Sequence, residues 1–284
     1  MTQVFDRRLG VTYTEPQFGG QGLRLLYGGP AALAVTNALL ARRWFSRLLA
    51  WPSTWRRSAA TIPAFVRDYG VDLADYPDRA YSSFADFFTR EFRPGARPVD
   101  PDPHRLVAPA DAKLLAYPVT DSLAFEAKGF TYRLADLVAR AAVPESRWCL
   151  VFRLTVDDCH RYCFVDDCDV AGSYDVPGRL HTVGPWSNGR VCVLSDNDRV
   201  VTTLLTRHFG TVTMIEIGAM MVGRIVNHDV AHAWRGQEKG YFAYGGSTIV
   251  LLVGPLHPDD DIVAKSRLGI ETRVRRGEGI GSPA

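Results

Sequence analysis

The chain is 284 residues long and 46% hydrophobic, enough to bury a full core as one large domain or two small ones. Its 33 basic and 31 acidic residues leave a formal charge of +2, which gives no general electrostatic case for nucleic acid and confines any basic effect to a local patch. Five cysteines, at 149, 159, 163, 168 and 192, lack paired spacing in a chain too large to need a disulfide framework, so a reducing, cytosolic setting is expected.

Residues 1–22 carry Asp6, Arg7, Arg8 and Glu15 among several glycines and show no apolar core of a cleavable signal. From Leu23 the text turns apolar and basic by turns. The uncharged stretch between Arg24 and Arg42 falls short of the ~18 apolar residues of a spanning helix, and Gly28-Gly29-Pro30 interrupts it. Pro30 suits a first helical turn, and arginines 42, 43, 47, 56 and 57 interleave with Trp44, Phe45, Trp51 and Trp55. Two readings fit this stretch: an interfacial membrane segment with rings at headgroup level, or helices packed on the protein's own core with their arginines reaching water. Short helices are predicted over 62–69 and 81–88, the second capped by Ser82 or Ser83. The run from Arg90 to Pro103 holds four prolines and ends the helical front.

Beyond it the segments are short, apolar and separated by turn residues. Strands are predicted at 114–119, 150–154, 191–194, 200–205, 212–217, 221–226, 241–244 and 249–253, with one helix at 134–141 and a further short strand near the end. The fold class is therefore α+β: a helical N-terminal segment, then a mostly antiparallel β-rich body. The division falls at 1–78 and 79–284.

Several places hold reactive groups. Gly245-Gly246-Ser247-Thr248 lies just before the apolar run 249–253, where the glycines expose either the serine hydroxyl or the preceding peptide bond, or simply make a tight turn. Asp111 sits among small residues in Ala108-Pro109-Ala110-Asp111, as a turn aspartate or a functional one. His160 follows the strand at 150–154, where a histidine serves as acid or base or merely bonds a neighbour. Cys159, His160, Cys163 and Cys168 lack the paired spacing of a structural zinc site, and no metal is expected. The Gly-x-Ser-x-Gly elbow and the glycine-rich phosphate loops are absent, which disfavours a conventional hydrolase and nucleotide chemistry.

Taken in order, these segments resemble the phosphatidylserine decarboxylase family, whose members cut themselves to make a pyruvoyl cofactor. The likeness rests on Phe84-Ala85-Asp86-Phe87-Phe88-Thr89-Arg90, Pro94-Gly95-Ala96-Arg97-Pro98, Ala108-Pro109-Ala110-Asp111, Lys128-Gly129-Phe130-Thr131-Tyr132, His160-Arg161-Tyr162, Val176-Pro177-Gly178-Arg179-Leu180-His181-Thr182-Val183, Asn197-Asp198-Arg199-Val200-Val201, Gly218-Ala219-Met220-Met221-Val222-Gly223 and Lys239-Gly240-Tyr241-Phe242 before Gly245-Gly246-Ser247-Thr248. The resemblance implies that the Ser247 hydroxyl attacks the Gly246 carbonyl, that the chain divides between 246 and 247, and that Ser247 becomes the pyruvoyl group. It places Asp111 in the relay for that step and makes His160 the candidate acid that protonates the decarboxylated substrate.

One departure stands out. Many members have a second histidine where this chain has Cys163, and His181 is then a candidate for part of the proton transfer. The resemblance further implies phosphatidylserine as substrate, an anionic membrane surface as partner on the cytoplasmic face, and a peripheral attachment. It also implies that the cleaved carboxy-terminal chain stays woven into the core, and it leaves a homodimer open. The alternatives are a pyruvoyl enzyme for a soluble amino acid and a lipid-binding homologue that does not process itself, the latter prompted by Cys163.

Overall fold

A continuous run of β-branched and leucine residues, Ser247–Val253, forms the middle of a ten-stranded sheet in the computed structural model, which describes residues 2–15, 29–127, 129–143, 145–182, 190–220, 224–243 and 247–284. Every residue of this strand is buried, as a strand covered on both faces requires. Its neighbours are Thr211–Gly218 and Trp148–Leu154, both antiparallel. On one side the sheet continues through Arg199–Thr206 and Cys168–Val176 to His232–Ala233. On the other it continues through Ala112–Pro118 and Glu271–Val274 to Thr2–Asp6 and Val11–Glu15. All neighbouring pairs are antiparallel except Thr2–Asp6 with Glu271–Val274.

Period-two alternation sends the side chains of the central strand into two separate cores. Ile249, Leu251 and Val253 join Tyr162, Phe164 and Phe242, whereas Val250 and Leu252 join Phe125, Leu137 and Ile215. Ser247, in phase with Ile249, faces the first layer. Part of that layer is a three-stranded sheet in the order Arg224–Asn227, Glu238–Ala243, Arg161–Cys163.

The helical front begins at Pro30, with helices Pro30–Val35, Arg43–Ala50 and Ile62–Tyr69. The helix Phe84–Phe88 is capped by Ser83, whose hydroxyl accepts from the amide of Asp86 at 3.1 Å. Phe84, Phe87 and Phe88 pack with Val71, Phe65 and Tyr69 into a small core of their own.

Three expectations are corrected here. Residues 2–15, placed in the helical front, are two strands of the main sheet. Their anchor is long-range: Arg153, in the middle of the sheet, donates to Glu271 at 3.0 Å and to Glu15 at 2.7 Å, with all three side chains buried. Each carboxylate thereby gains a cationic partner, as a buried charge requires, and Lys113 Nζ stands 3.7 Å from Glu15 as a second cation for the pair. Residues 191–194 give no strand; Val193–Asp196 is one helical turn. The helix expected at 134–141 stops at Val138, because Ala139 turns left-handed at φ 52°. Gly245, Gly246 and Tyr244 lie outside the described residues, as do Lys128, Val183, Met221, Val222, Gly223 and the start of the apolar front at 23–28.

Candidate active site

Ser247 and Phe242 bracket residues 244–246, and each is tied to a different strand end. Ser247 pairs with Leu154 on one side and Gly218 on the other. It is fully buried, and its Oγ has no hydrogen-bond partner among the described residues. A buried hydroxyl left without a partner costs roughly 1–3 kcal/mol. Thr248, the next residue, faces the other core and pairs with Ile217 and Arg153.

His160 reaches the same layer by a different route. The chain leaves the Arg153 strand at Leu154, turns through residues 155–159 and delivers His160 just before strand Arg161–Cys163. Its carbonyl accepts from the amide of Phe242 at 3.0 Å, and its ring lies 4.2 Å from that of Phe88. Nδ1 sits 3.1 Å from the carbonyl of Asp158. A carbonyl only accepts, so Nδ1 carries the proton and Nε2 bears the lone pair. That Nε2 is buried without a partner among the described residues. Burial, above all, pushes the imidazole pKa down to about 3, and the Arg90 charge adds to the effect. His160 is therefore a neutral ring presenting a bare nitrogen.

The turn that carries His160 is built from buried charge. Lys113 Nζ pairs with Asp158 at 2.7 Å, and the same carboxylate accepts from the amide of Thr155 at 2.7 Å. From the other side Arg90, wholly buried, donates to the carbonyls of Asp157 at 2.8 Å and Asp158 at 3.3 Å. Its guanidinium lies between the rings of Tyr76 and Phe87, 4.7 Å from each centroid. Arg90 thus links the helix Phe84–Phe88 to the carbonyl that fixes the His160 tautomer. Neither Arg90 nor Lys113 was expected here; the partners of both lie more than 40 residues away, where no local pattern reveals them.

His181 approaches from the opposite strand. Asn197 donates from Nδ2 to the carbonyls of His181 at 2.9 Å and Gly218 at 2.7 Å, and its Oδ1 accepts from the His181 amide at 3.0 Å. This single buried amide holds the His181 segment against the residue that pairs with Ser247. Gly178 allows the approach, because a Cβ there would stand 2.5 Å from the Asn197 backbone. Burial and the nearby Arg179 push the His181 pKa down to about 4.

Asp111 and Cys163 sit elsewhere. The Asp111 carboxylate is clamped by Arg97, with contacts at 2.7 to 3.0 Å, and accepts from the amide of Arg276 at 2.9 Å. No hydrogen bond joins it to His160 among the described residues. Cys163 is buried beside the carbonyl of Ala108, 3.8 Å from its Sγ, and burial raises its thiol pKa to about 11. Among the described residues no cluster of three or more histidine, cysteine or carboxylate groups could hold a metal ion.

Two hollows lie beside this junction. One, of about 730 Å³, is bounded by Trp44, Leu48, Trp51, Tyr241 and Ala243. The other, of about 380 Å³, has Gly218 in its wall and is rimmed by arginines 43, 47 and 224. Trp44, Leu48, Trp51 and Trp55 are each at least half exposed, an apolar patch among exposed arginines. Among the described residues no helix is long and apolar enough to cross a membrane.

Comparison with known proteins agrees with this geometry. The profile described as "Phosphatidylserine decarboxylase" matches residues 84–282. The chain is 40% identical to "Phosphatidylserine decarboxylase proenzyme 2" of Clostridium acetobutylicum over 283 residues, which cover 98% of this chain and 97% of the relative. It is 33% identical to a phosphatidylserine decarboxylase proenzyme of Desulfitobacterium hafniense, with 99% and 98% covered. A third such proenzyme, from Clostridium novyi, is 31% identical, with 99% of each chain covered.

Proposed function

The chain belongs to the phosphatidylserine decarboxylase family, and we propose that it converts phosphatidylserine to phosphatidylethanolamine with a pyruvoyl group made from its own Ser247. The observation that carries the reading is a pair of buried atoms without a partner among the described residues, Ser247 Oγ at the start of strand Ser247–Val253 and His160 Nε2, whose residue accepts at its carbonyl from the amide of Phe242.

In this proposal His160 Nε2 takes the proton from Ser247, and Oγ bonds to the carbonyl carbon of Gly246. The peptide C–N bond breaks and its nitrogen is protonated, leaving an ester. Loss of the Ser247 α-proton then expels the Gly246 carboxylate, and water releases ammonia to leave a ketone at position 247. Held there, the pyruvoyl group supplies a carbonyl that takes up the substrate amine and accepts the electrons released with carbon dioxide. Nε2 returns the Ser247 proton to the leaving nitrogen, and in each later turnover it gives the substrate carbon a proton taken up from solvent, so one nitrogen serves as base and then as acid. His181, fastened at Gly218, is placed to share this traffic.

Asp111 contributes to cleavage by position: with Arg97 and Arg276 it fixes residues 109–111, and the Pro109 carbonyl accepts from the Cys163 amide at 2.8 Å, setting the strand that begins after His160. After cleavage the new chain start remains paired along both edges of strand Ser247–Val253, which keeps the fragment in place. The front, to about residue 78, lies on the anionic cytoplasmic face of the membrane through its tryptophans and arginines. Pairing of two copies belongs to the same proposal and is read from the mass in solution.

Intact mass of the purified protein tests the reading. Two chains are expected, 1–246 and 247–284, the smaller gaining two mass units on borohydride reduction, with carbon dioxide released from phosphatidylserine vesicles. Ser247→Ala gives one chain. A single full-length chain from the parent protein, or cleavage that survives in Ser247→Ala, refutes it.

A further inference from the structure

Arg47 lines both hollows beside the junction, the apolar one and the arginine-rimmed one. The first is bounded by Trp44, Leu48 and Trp51 and reaches Ala243, one residue before 244–246. The second reaches Gly218, across from Ser247. An amphiphile lying through both would have its chains on one side of Arg47 and its polar head on the other. In a glycerophospholipid the group at that boundary is the phosphodiester.

The charges of the second hollow are unequally committed. Arg43 pairs with Asp198, and the Arg199 guanidinium donates to the carbonyls of Asp136, Leu137, Ser195 and Asn197. The guanidinium groups of Arg47 and Arg224 have no hydrogen bond or ion pair among the described residues, and both residues are exposed to solvent at this rim. The remaining carboxylate is Asp175, which suits an ammonium group rather than a phosphate. Two free guanidinium groups beside one free carboxylate match a head that carries a phosphodiester anion and an amine.

Resting on the function proposed above, we infer that Arg47, with Arg224, binds the substrate phosphodiester and thereby selects a phospholipid over a free amino acid. Guanidinium bonds to a phosphate contribute enough for about a tenfold change in affinity each. The test uses processed enzyme, with every rate expressed per pyruvoyl group counted by borohydride reduction. Dihexanoylphosphatidylserine below its micellar concentration, O-phosphoserine and O-methylserine are compared as substrates.

Arg47→Ala should raise KM for the short-chain lipid about tenfold or more with little change in kcat, Arg47→Lys should recover part of the loss, and Arg224→Ala should act in the same direction. O-Methylserine, which keeps the carboxylate and amine but has no phosphate, should lose nothing. Unchanged KM for the monomeric lipid in Arg47→Ala and Arg224→Ala overturns the assignment, as does an equal loss on O-methylserine. A loss confined to vesicles overturns it in favour of a membrane-surface contact. O-phosphoserine used as well as the lipid overturns the boundary role, since a free phosphate would then suffice. Parent protein that forms pyruvoyl yet releases no carbon dioxide from any phosphatidylserine sinks the function itself, a result distinct from all of these.

Discussion

Replacing His160 by Gln in an uncleavable Ser247→Ala background isolates the protonation state on which the site depends. The imidazole is wholly buried, and its pKa falls from the ordinary 6.5 to about 3. A depressed histidine pKa means that the unfolded chain takes a proton the folded protein refuses. Its contribution is complete above pH 6.5 and is lost at ~1.4 kcal/mol per unit as pH falls below that, until the folded value is reached. Between pH 8 and pH 5 the loss from this one group is therefore about 2 kcal/mol. Urea unfolding at the two pH values reads it directly. The Ser247→Ala protein should lose about 2 kcal/mol more on acidification than Ser247→Ala/His160→Gln, because glutamine does not titrate and the remaining ionisable groups are common to both. Equal losses in the two proteins would mean that His160 takes its proton in the folded state, and the bare-nitrogen assignment would fall.

Asn197→Ala removes the partner of the Gly218 carbonyl and of both main-chain groups of His181, at roughly 1–3 kcal/mol for each buried group left unpaired; calorimetry should show a lower Tm, and electrophoresis slower self-cleavage, whereas parental values in both would refute the anchoring role. Trp44, Trp51 and Trp55, each at least half exposed, changed together to Ser should lower co-sedimentation with anionic vesicles by about tenfold or more; undiminished sedimentation would remove the front helices from the membrane contact.

The sheet body was legible wherever a strand carries its own signature. The runs at 150–154, 200–205, 212–217 and 249–253 are long, β-branched and apolar, and burial on both faces leaves that pattern in the text. Residues 2–15 carry no such run: Thr2–Asp6 and Val11–Glu15 are short, polar strands at the margin of the sheet, held by Arg153 from the middle of the chain and Glu271 from its far end. Residues 191–194 read as a strand because a four-residue apolar run has no period of its own. At the candidate site, the sequence singles out Ser247 by its preceding glycines and His160 by residue type. Arg90, Lys113 and Asn197 were not, because each acts through a pairing with a distant backbone or carboxylate that sequence spacing does not encode.

The cysteine at 163 raised the question of what replaces the histidine expected there. A thiol with its pKa raised to about 11 is protonated at neutral pH, so Cys163 is no base. The bare nitrogen of His160 is available, yet it is a weak base. Its Nδ1 proton goes to a main-chain carbonyl rather than a carboxylate, and Arg90 donates to that same carbonyl. Positive charge on the ring is thus opposed, where a carboxylate partner would favour it. A catalyst of many turnovers would suffer from that arrangement. Self-cleavage happens once in each molecule, so a slow proton acceptor is sufficient for it. Breaking the bond between 246 and 247 changes the balance: the strand stays paired with Leu154 and Gly218, and in the proposed processed enzyme water and substrate reach His160 through the break. Hydration raises the imidazole pKa toward its ordinary value. The same nitrogen then becomes a competent acid for the decarboxylated substrate, which ties the order of the two reactions to the burial of one side chain.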